Sequence, residues 1–149
     1  YEISCSLVGS EMCIRDSTRG PVIASHSNAR GACFHLRNLS DEMIRQLAER
    51  GGVTGSNFCP SFLREEEPAT KKASTMDMVR HMKYLRNVGG IDIIGLGTDF
   101  DGFSGETDVP DTAHMQHLAD VMSHDGFTDE EIEKVFSKNV LRVFRECWK

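Results

Sequence analysis

The stretch Ile91-Asp-Ile-Ile-Gly-Leu-Gly-Thr-Asp-Phe-Asp-Gly102 decides the fold class of this chain. Its isoleucines predict a buried strand over Ile91–Asp99, because β-branched side chains suit a pleated, covered surface. Successive residues of a strand face opposite sides, so Gly95, Gly97 and Asp99 share one face while Ile94 and Leu96 share the other. A face of glycines that ends in an aspartate suits a crowded interior opening into a site. Two upstream segments follow the same plan. Pro21-Val-Ile-Ala-Ser-His26 and Val53–Phe58 both read as short buried strands, and each carries a polar residue at its end, His26 and Asn57.

Helical patterns separate these strands. Ser40 is placed to cap a helix whose Met43, Ile44, Leu47 and Ala48 form one face, stopped at Gly51-Gly52. Met78, Met82 and Leu85 mark a second helix, ending at Gly89-Gly90, and Met115, Leu118, Ala119 and Met122 mark a third. The last helix opens with a capping box, Thr128-x-x-Glu131, and continues through Val135, Phe136, Val140 and Phe144. Between Pro60 and Ser74 the sequence predicts a polar loop, with Arg64-Glu-Glu-Glu67 as a solvated run. Strands alternating with helices predict an α/β protein with a parallel sheet. In (β/α)8 barrels the C-terminal ends of the strands carry the chemistry, which is where His26, Asn57 and Asp99 fall.

Composition narrows the function classes. Of 149 residues, 17 are Lys or Arg and 23 are Asp or Glu, a formal charge of −6. A net negative chain without a basic block argues against nucleic acid as its main partner. No apolar run approaches the roughly 20 residues of a membrane-spanning helix. The five cysteines are scattered and never spaced C-x-x-C, so neither a disulfide framework nor a structural zinc knuckle is expected. No strand leads into G-x-G-x-x-G or a Walker-type loop, which leaves nucleotide binding unsupported. An EF-hand reading of the Asp99 loop fails because Phe103 and Pro110 stand where oxygen ligands are required.

Residues 1–17 differ from the rest. Leu7-Val-Gly-Ser-Glu-Met-Cys-Ile-Arg-Asp-Ser17 resembles the translation of a transposon adapter oligonucleotide used to prepare sequencing libraries. They are read as non-native, with the native sequence entering at about Thr18.

From the residues alone, the chemical candidates are His26 at a strand end, Arg37 in the loop before the first helix, and Asp99. Together they resemble something more specific. Residues 18–149 are similar to the C-terminal part of the renal-type (membrane) dipeptidase family of zinc peptidases. Three motifs carry the likeness in order: Pro-Val-Ile-Ala-Ser-His-Ser at 21–27, Arg37-Asn38-Leu39, and Gly-Leu-Gly-Thr-Asp-Phe-Asp-Gly at 95–102. The tail Asn139-Val-Leu-Arg-Val-Phe-Arg145 resembles the family's closing helix.

That resemblance implies a TIM-like (β/α)8 barrel, incomplete in this chain. It also implies two zinc ions bridged by a carboxylate and a water, and a dipeptide as substrate. His26 then matches a zinc-ligand histidine, Arg37 the arginine that holds the dipeptide's carboxylate, and Asp99 the aspartate that contacts substrate and metal-bound water. The family's His-x-Asp pair, its bridging glutamate and two further histidines have no counterpart here and are expected upstream. The expectation is therefore a segment of a dipeptidase, inactive by itself. His35, His81, His114, His117 and His124 match no motif and are expected on the surface or in loops. Two alternatives remain: another barrel metallohydrolase such as an amidase or lactonase, and a non-catalytic binding domain derived from the barrel. Arg37 separates the first, since a free substrate carboxylate needs it and a lactone does not.

Overall fold

The structure, a computed structural model, describes residues 20–65 and 72–148. The chain runs β1 (Ile23–Ala24), α1 (Asp41–Glu49), β2 (Val53–Ser56), α2 (Pro60–Leu63) and β3 (Lys72–Ala73). It continues through α3 (Thr75–Gly89), β4 (Ile94–Leu96), β5 (Glu106–Thr107), α4 (Met115–His124), α5 (Asp129–Glu133) and α6 (Asn139–Cys147). The three expected strands form one parallel sheet in the order β1-β2-β4, with Ile23 opposite Val53 and Gly55 opposite Gly95. The α/β class and the parallel pairing are as expected. The described residues form no closed barrel.

Each strand is shorter than its expected run, and for β1 and β4 the physical reason is visible. After Ala24 the chain leaves the edge of the sheet and crosses its end. The Ser25 carbonyl then occupies the space where a Cβ on Gly55 or Gly97 would sit. The crossing is tied down by Ser27 N–H donating to the Gly55 carbonyl (2.8 Å) and Thr54 Oγ1 donating to the Ser27 carbonyl (2.6 Å). These glycines are therefore required by a backbone passing over them, and a side chain at either position would push that backbone away. At the other end, Ile91–Ile93 form a 3-10 turn instead of extending β4. The buried Asn139 amide donates to the carbonyls of both Ile91 and Ile94 (2.8 Å each), which holds that turn against α6.

The helices follow their sequence signals. Ser40 Oγ accepts from Met43 N–H, and α1 buries Met43, Ile44 and Leu47. A reciprocal Ser74–Asp77 capping box opens α3, which buries Met78, Val79, Met82 and Leu85. The Thr128–Glu131 box opens α5 as predicted. The expected single last helix is instead two, α5 and α6, joined by a wider π turn over Lys134–Lys138. Phe144 lies on its exposed side.

Two expectations need correction. The Pro60–Ser74 loop contains α2, which starts with a proline whose missing N–H costs nothing there, and β3, which pairs in parallel with β5. His81 is not a surface histidine. It is fully buried on α3, where Nδ1 accepts from Ala29 N–H (3.2 Å) and Nε2 donates to the Leu63 carbonyl (2.9 Å). Burial pushes its pKa down from 6.5 to about 4, against the opposing pull of the Leu63 hydrogen bond. His114, His117 and His124 are exposed, as expected. Among the described residues no helix is long and apolar enough to cross a membrane.

Candidate functional site

The parallel sheet brings His26, Asn57 and Asp99 to one end, each just beyond the C-terminal end of its strand. Hydrogen bonds beyond the regular ladder hold these extensions together. Gly97 N–H donates to the Ser56 carbonyl, and Phe58 N–H donates to the Thr98 carbonyl. Beneath them lies a buried pair of asparagines. Asn28 Oδ1 accepts from Asn57 N–H, and Asn28 Nδ2 donates to the Asn57 carbonyl, both at 2.9 Å. Asn28 thus treats the backbone of residue 57 as a neighbouring strand would.

Arg37 sits on the Cys33–Asn38 loop, which is held from two sides. Asn38 Nδ2 donates to the carbonyls of Cys33 (2.9 Å) and Phe62 (2.8 Å), and Arg30 donates to the carbonyls of Asn38 and Leu36. The Arg37 guanidinium lies 5.6 Å from the centre of the Phe62 ring, which His35 flanks at 4.6 Å. Its Nη2 is 3.2 Å from His26 Nε2. Guanidinium has no acceptor, so Nε2 accepts, and the ring proton on Nδ1 is donated to Ser25 Oγ at 2.7 Å. Among the described residues no carboxylate pairs with Arg37, so its remaining donors are available to an anion.

Asp99 has a left-handed backbone, with φ of 62°. Aspartate tolerates that region better than most residues. Its carbonyl accepts from Gly102 N–H in a turn (2.9 Å), and its Oδ2 accepts from Asn57 Nδ2 (3.1 Å). A Cβ at residue 102 would overlap the Asp99 carboxylate, so Gly102 leaves that group its place. Asp99 therefore has a turn role through its backbone and, among the described residues, a carboxylate oxygen, Oδ1, without a hydrogen-bond partner. Hydrogen bonds among the described residues join His26 to Arg37 and Asp99 to Asn57, but not one pair to the other.

The residues present do not build a metal centre by themselves. Among the described residues no three His, Cys, Asp or Glu side chains gather closely enough to hold an ion. The Nε2 of His26 faces the Arg37 guanidinium. Sequence reasoning placed His26, Arg37 and Asp99 at this end but missed Asn28 and His81, which support it from below. A signal for His81 was present: it falls three residues after Met78, on the apolar stripe of α3.

The family model for membrane dipeptidases (peptidase family M19) matches residues 10–148. The chain belongs to the membrane dipeptidase family. That family consists of metallodipeptidases. Residues 1–17, read above as non-native, lie outside the described residues, and the family match begins at residue 10. The chain is 35% identical over 128 residues to a Klebsiella pneumoniae protein from the pqqA 5' region, spanning 86% of this chain and 47% of that protein. It is also 35% identical to an uncharacterized dipeptidase of Schizosaccharomyces pombe, over 88% of this chain and 32% of that one. A solved Rhodobacter sphaeroides metallopeptidase, bound to a phosphinate mimic of the dipeptide L-Ala-D-Ala, superposes with a TM-score of 0.81. It is 29% identical to this chain, and the match covers 88% of this chain and 37% of that one. An amidohydrolase from Pseudomonas aeruginosa superposes equally well, TM-score 0.81, at 25% identity over 93% of this chain and 49% of its own. This membrane dipeptidase family chain thus spans less than half the length of these relatives.

Proposed function

We propose that the full-length protein carrying this segment is a zinc-dependent dipeptidase built on a (β/α)8 barrel, to which residues 18–149 contribute the C-terminal portion. In this reading Arg37 grips the carboxylate of the dipeptide. His26 is one metal ligand, and Asp99 orients or accepts a proton from the attacking water. The observation that carries the reading is Arg37: a guanidinium held on a braced loop beside the strand-end histidine, without a carboxylate partner among the described residues. Guanidinium binds a carboxylate through two parallel hydrogen bonds. Zinc, where its full ligand set is assembled, supplies an acidified water and a polarised carbonyl. The dipeptide mimic bound by the Rhodobacter relative supports the substrate class.

The test is Arg37→Lys in the full-length protein. Lysine keeps the charge and loses the fork, so dipeptide KM should rise by the equivalent of about 1.5–3 kcal/mol, the worth of a charged hydrogen bond. Steady-state constants equal to wild type would remove Arg37 from the substrate site. They would favour an amidohydrolase that acts on a neutral substrate.

The 149 residues tested alone should behave differently. With His26 as their one proposed ligand they lack the three or four ligands of a tight site. Metal analysis after dialysis should find no stoichiometric zinc, and a dipeptide panel in zinc-supplemented buffer should remain uncleaved. Zinc-dependent turnover that disappears in His26→Ala would show that other residues complete the site. His114, His117 and the Asp108–Asp111 loop would then be the first to test.

A further inference from the structure

We infer that Asn57 is a positioning residue for the Asp99 carboxylate, a role that rests on the dipeptidase reading above and extends it. Asn57 is fully buried, and its amide orientation is determined by its surroundings. Cys59 N–H donates to Asn57 Oδ1 at 2.7 Å, and a backbone N–H requires an acceptor there. The other end of the amide, Nδ2, must therefore face Asp99 Oδ2, where it donates at 3.1 Å. The amide cannot flip without placing an N–H against an N–H on one side and an oxygen against a carboxylate on the other.

The backbone of residue 57 is as firmly fixed as its side chain. Asn28, itself fully buried, bonds both its N–H and its carbonyl. Asn28 is fixed in turn through its neighbour, because Ala29 N–H donates to His81 Nδ1. A continuous chain of hydrogen bonds and peptide links thus runs from the buried imidazole on α3 to the carboxylate at the end of β4. Its effect is to occupy Oδ2 of Asp99 and leave Oδ1 to act. Without the Asn57 donor, the carboxylate could rotate about its side-chain torsions, and the acting oxygen would lose its fixed position. Such misplacement costs rate more than binding, because orientation counts most in the transition state.

An isosteric change tests this in the full-length protein. Asn57→Asp keeps the oxygen that Cys59 N–H requires and replaces only the donor toward Asp99, now facing one carboxylate with another. The expected result is a fall in kcat of about 10–100-fold, the usual cost of removing a supporting partner, with KM for a dipeptide within about 3-fold of wild type. The decisive variant is the swapped pair, Asn57→Asp with Asp99→Asn, in which the hydrogen bond re-forms with its polarity reversed. Its melting temperature should return toward wild type while its kcat stays at the level of Asp99→Asn alone, because both changes act through one carboxylate. Asn57→Ser, which keeps the site neutral and is too short to reach Asp99, should reproduce the kcat loss. Unchanged kcat in Asn57→Asp, or a swapped pair whose loss multiplies the two single losses, overturns the inference and leaves the dipeptidase reading standing. Failure of both single variants to fold overturns it also, by making Asn57 structural. No dipeptide turnover by the full-length wild type overturns both readings.

Discussion

Asp99→Asn in the full-length protein is expected to lower kcat by about 10³-fold, within the range that acid–base groups contribute, while bound metal changes little. The substitution isolates chemistry from conformation. Asparagine accepts the left-handed backbone at residue 99 as readily as aspartate does, so the φ of 62° need not change. Its side-chain oxygen still accepts from Asn57 Nδ2, and the residue 99 carbonyl still closes the turn to Gly102. What disappears is the negative charge and the ability to take a proton at the second oxygen. Steady-state kinetics beside metal analysis of the same preparations will separate the outcomes. Turnover near wild type would reduce Asp99 to the turn residue that its backbone bond already makes it.

The second large effect is on stability, and it depends on pH through His81. The buried ring titrates at about 4, against 6.5 when unfolded. Between those values the unfolded chain binds a proton that the folded chain refuses, so stability rises with pH across that window. The contribution is fully present above about pH 6.5 and is lost as pH falls toward 4. By about pH 4 the loss comes to roughly 3 kcal/mol, because each pH unit within the window is worth about 1.36 kcal/mol. Protonation also places a hydrogen on Nδ1, which faces the Ala29 N–H, so the bond that anchors the loop after β1 is broken. Urea titrations of the chain at pH 7.5 and pH 4.5 measure the effect, with His81→Gln as the non-titrating reference. Wild type should lose more stability than His81→Gln over that interval. Equal losses would show that the imidazole titrates normally and is not sealed from water.

The parts of the fold that were legible in sequence are those written with periodic signals. α1, α3 and the Thr128–Glu131 capping box follow from the 3.6-residue repeat and side chains suited to caps, and β2 from a short run that reads as a buried strand, whereas the Ser74–Asp77 box was not read from the sequence. The strand ends were less legible, because what ends β1 is a carbonyl passing over two glycines 30 and 72 positions further along. Glycines with a shared parity were visible, but the chain segment crossing them was not. The β3–β5 pairing involves two residues from each strand and carries no period at all. The π turn over Lys134–Lys138 was not read from the sequence, and beyond it Val143 is buried while Phe144, expected on the apolar stripe, is exposed. For the candidate site, strand-end position was enough to place His26, Asn57 and Asp99 at one end of the sheet, since parallel strands must bring their C-terminal ends together. The contact between His26 and Arg37 was not readable, as it depends on the path of a loop braced by Asn38 and Arg30.

At the opposite end of the sheet, Arg142 on α6 donates to the Gly51 carbonyl (2.6 Å) and to the Asp92 carbonyl (3.0 Å). One guanidinium therefore ties the entry ends of β2 and β4 together across 91 residues of sequence. During synthesis this tie cannot form until residue 142 has left the ribosome. Until then β2 and β4 are joined by their short ladder and by the Gly97–Ser56 and Phe58–Thr98 bonds at the site end, while their entry ends lack this tie. Closing so long a loop costs entropy before the contact repays it, which makes this late event slow relative to the helices. The entry end of the sheet is thus completed by α6, the last of the described helices to emerge.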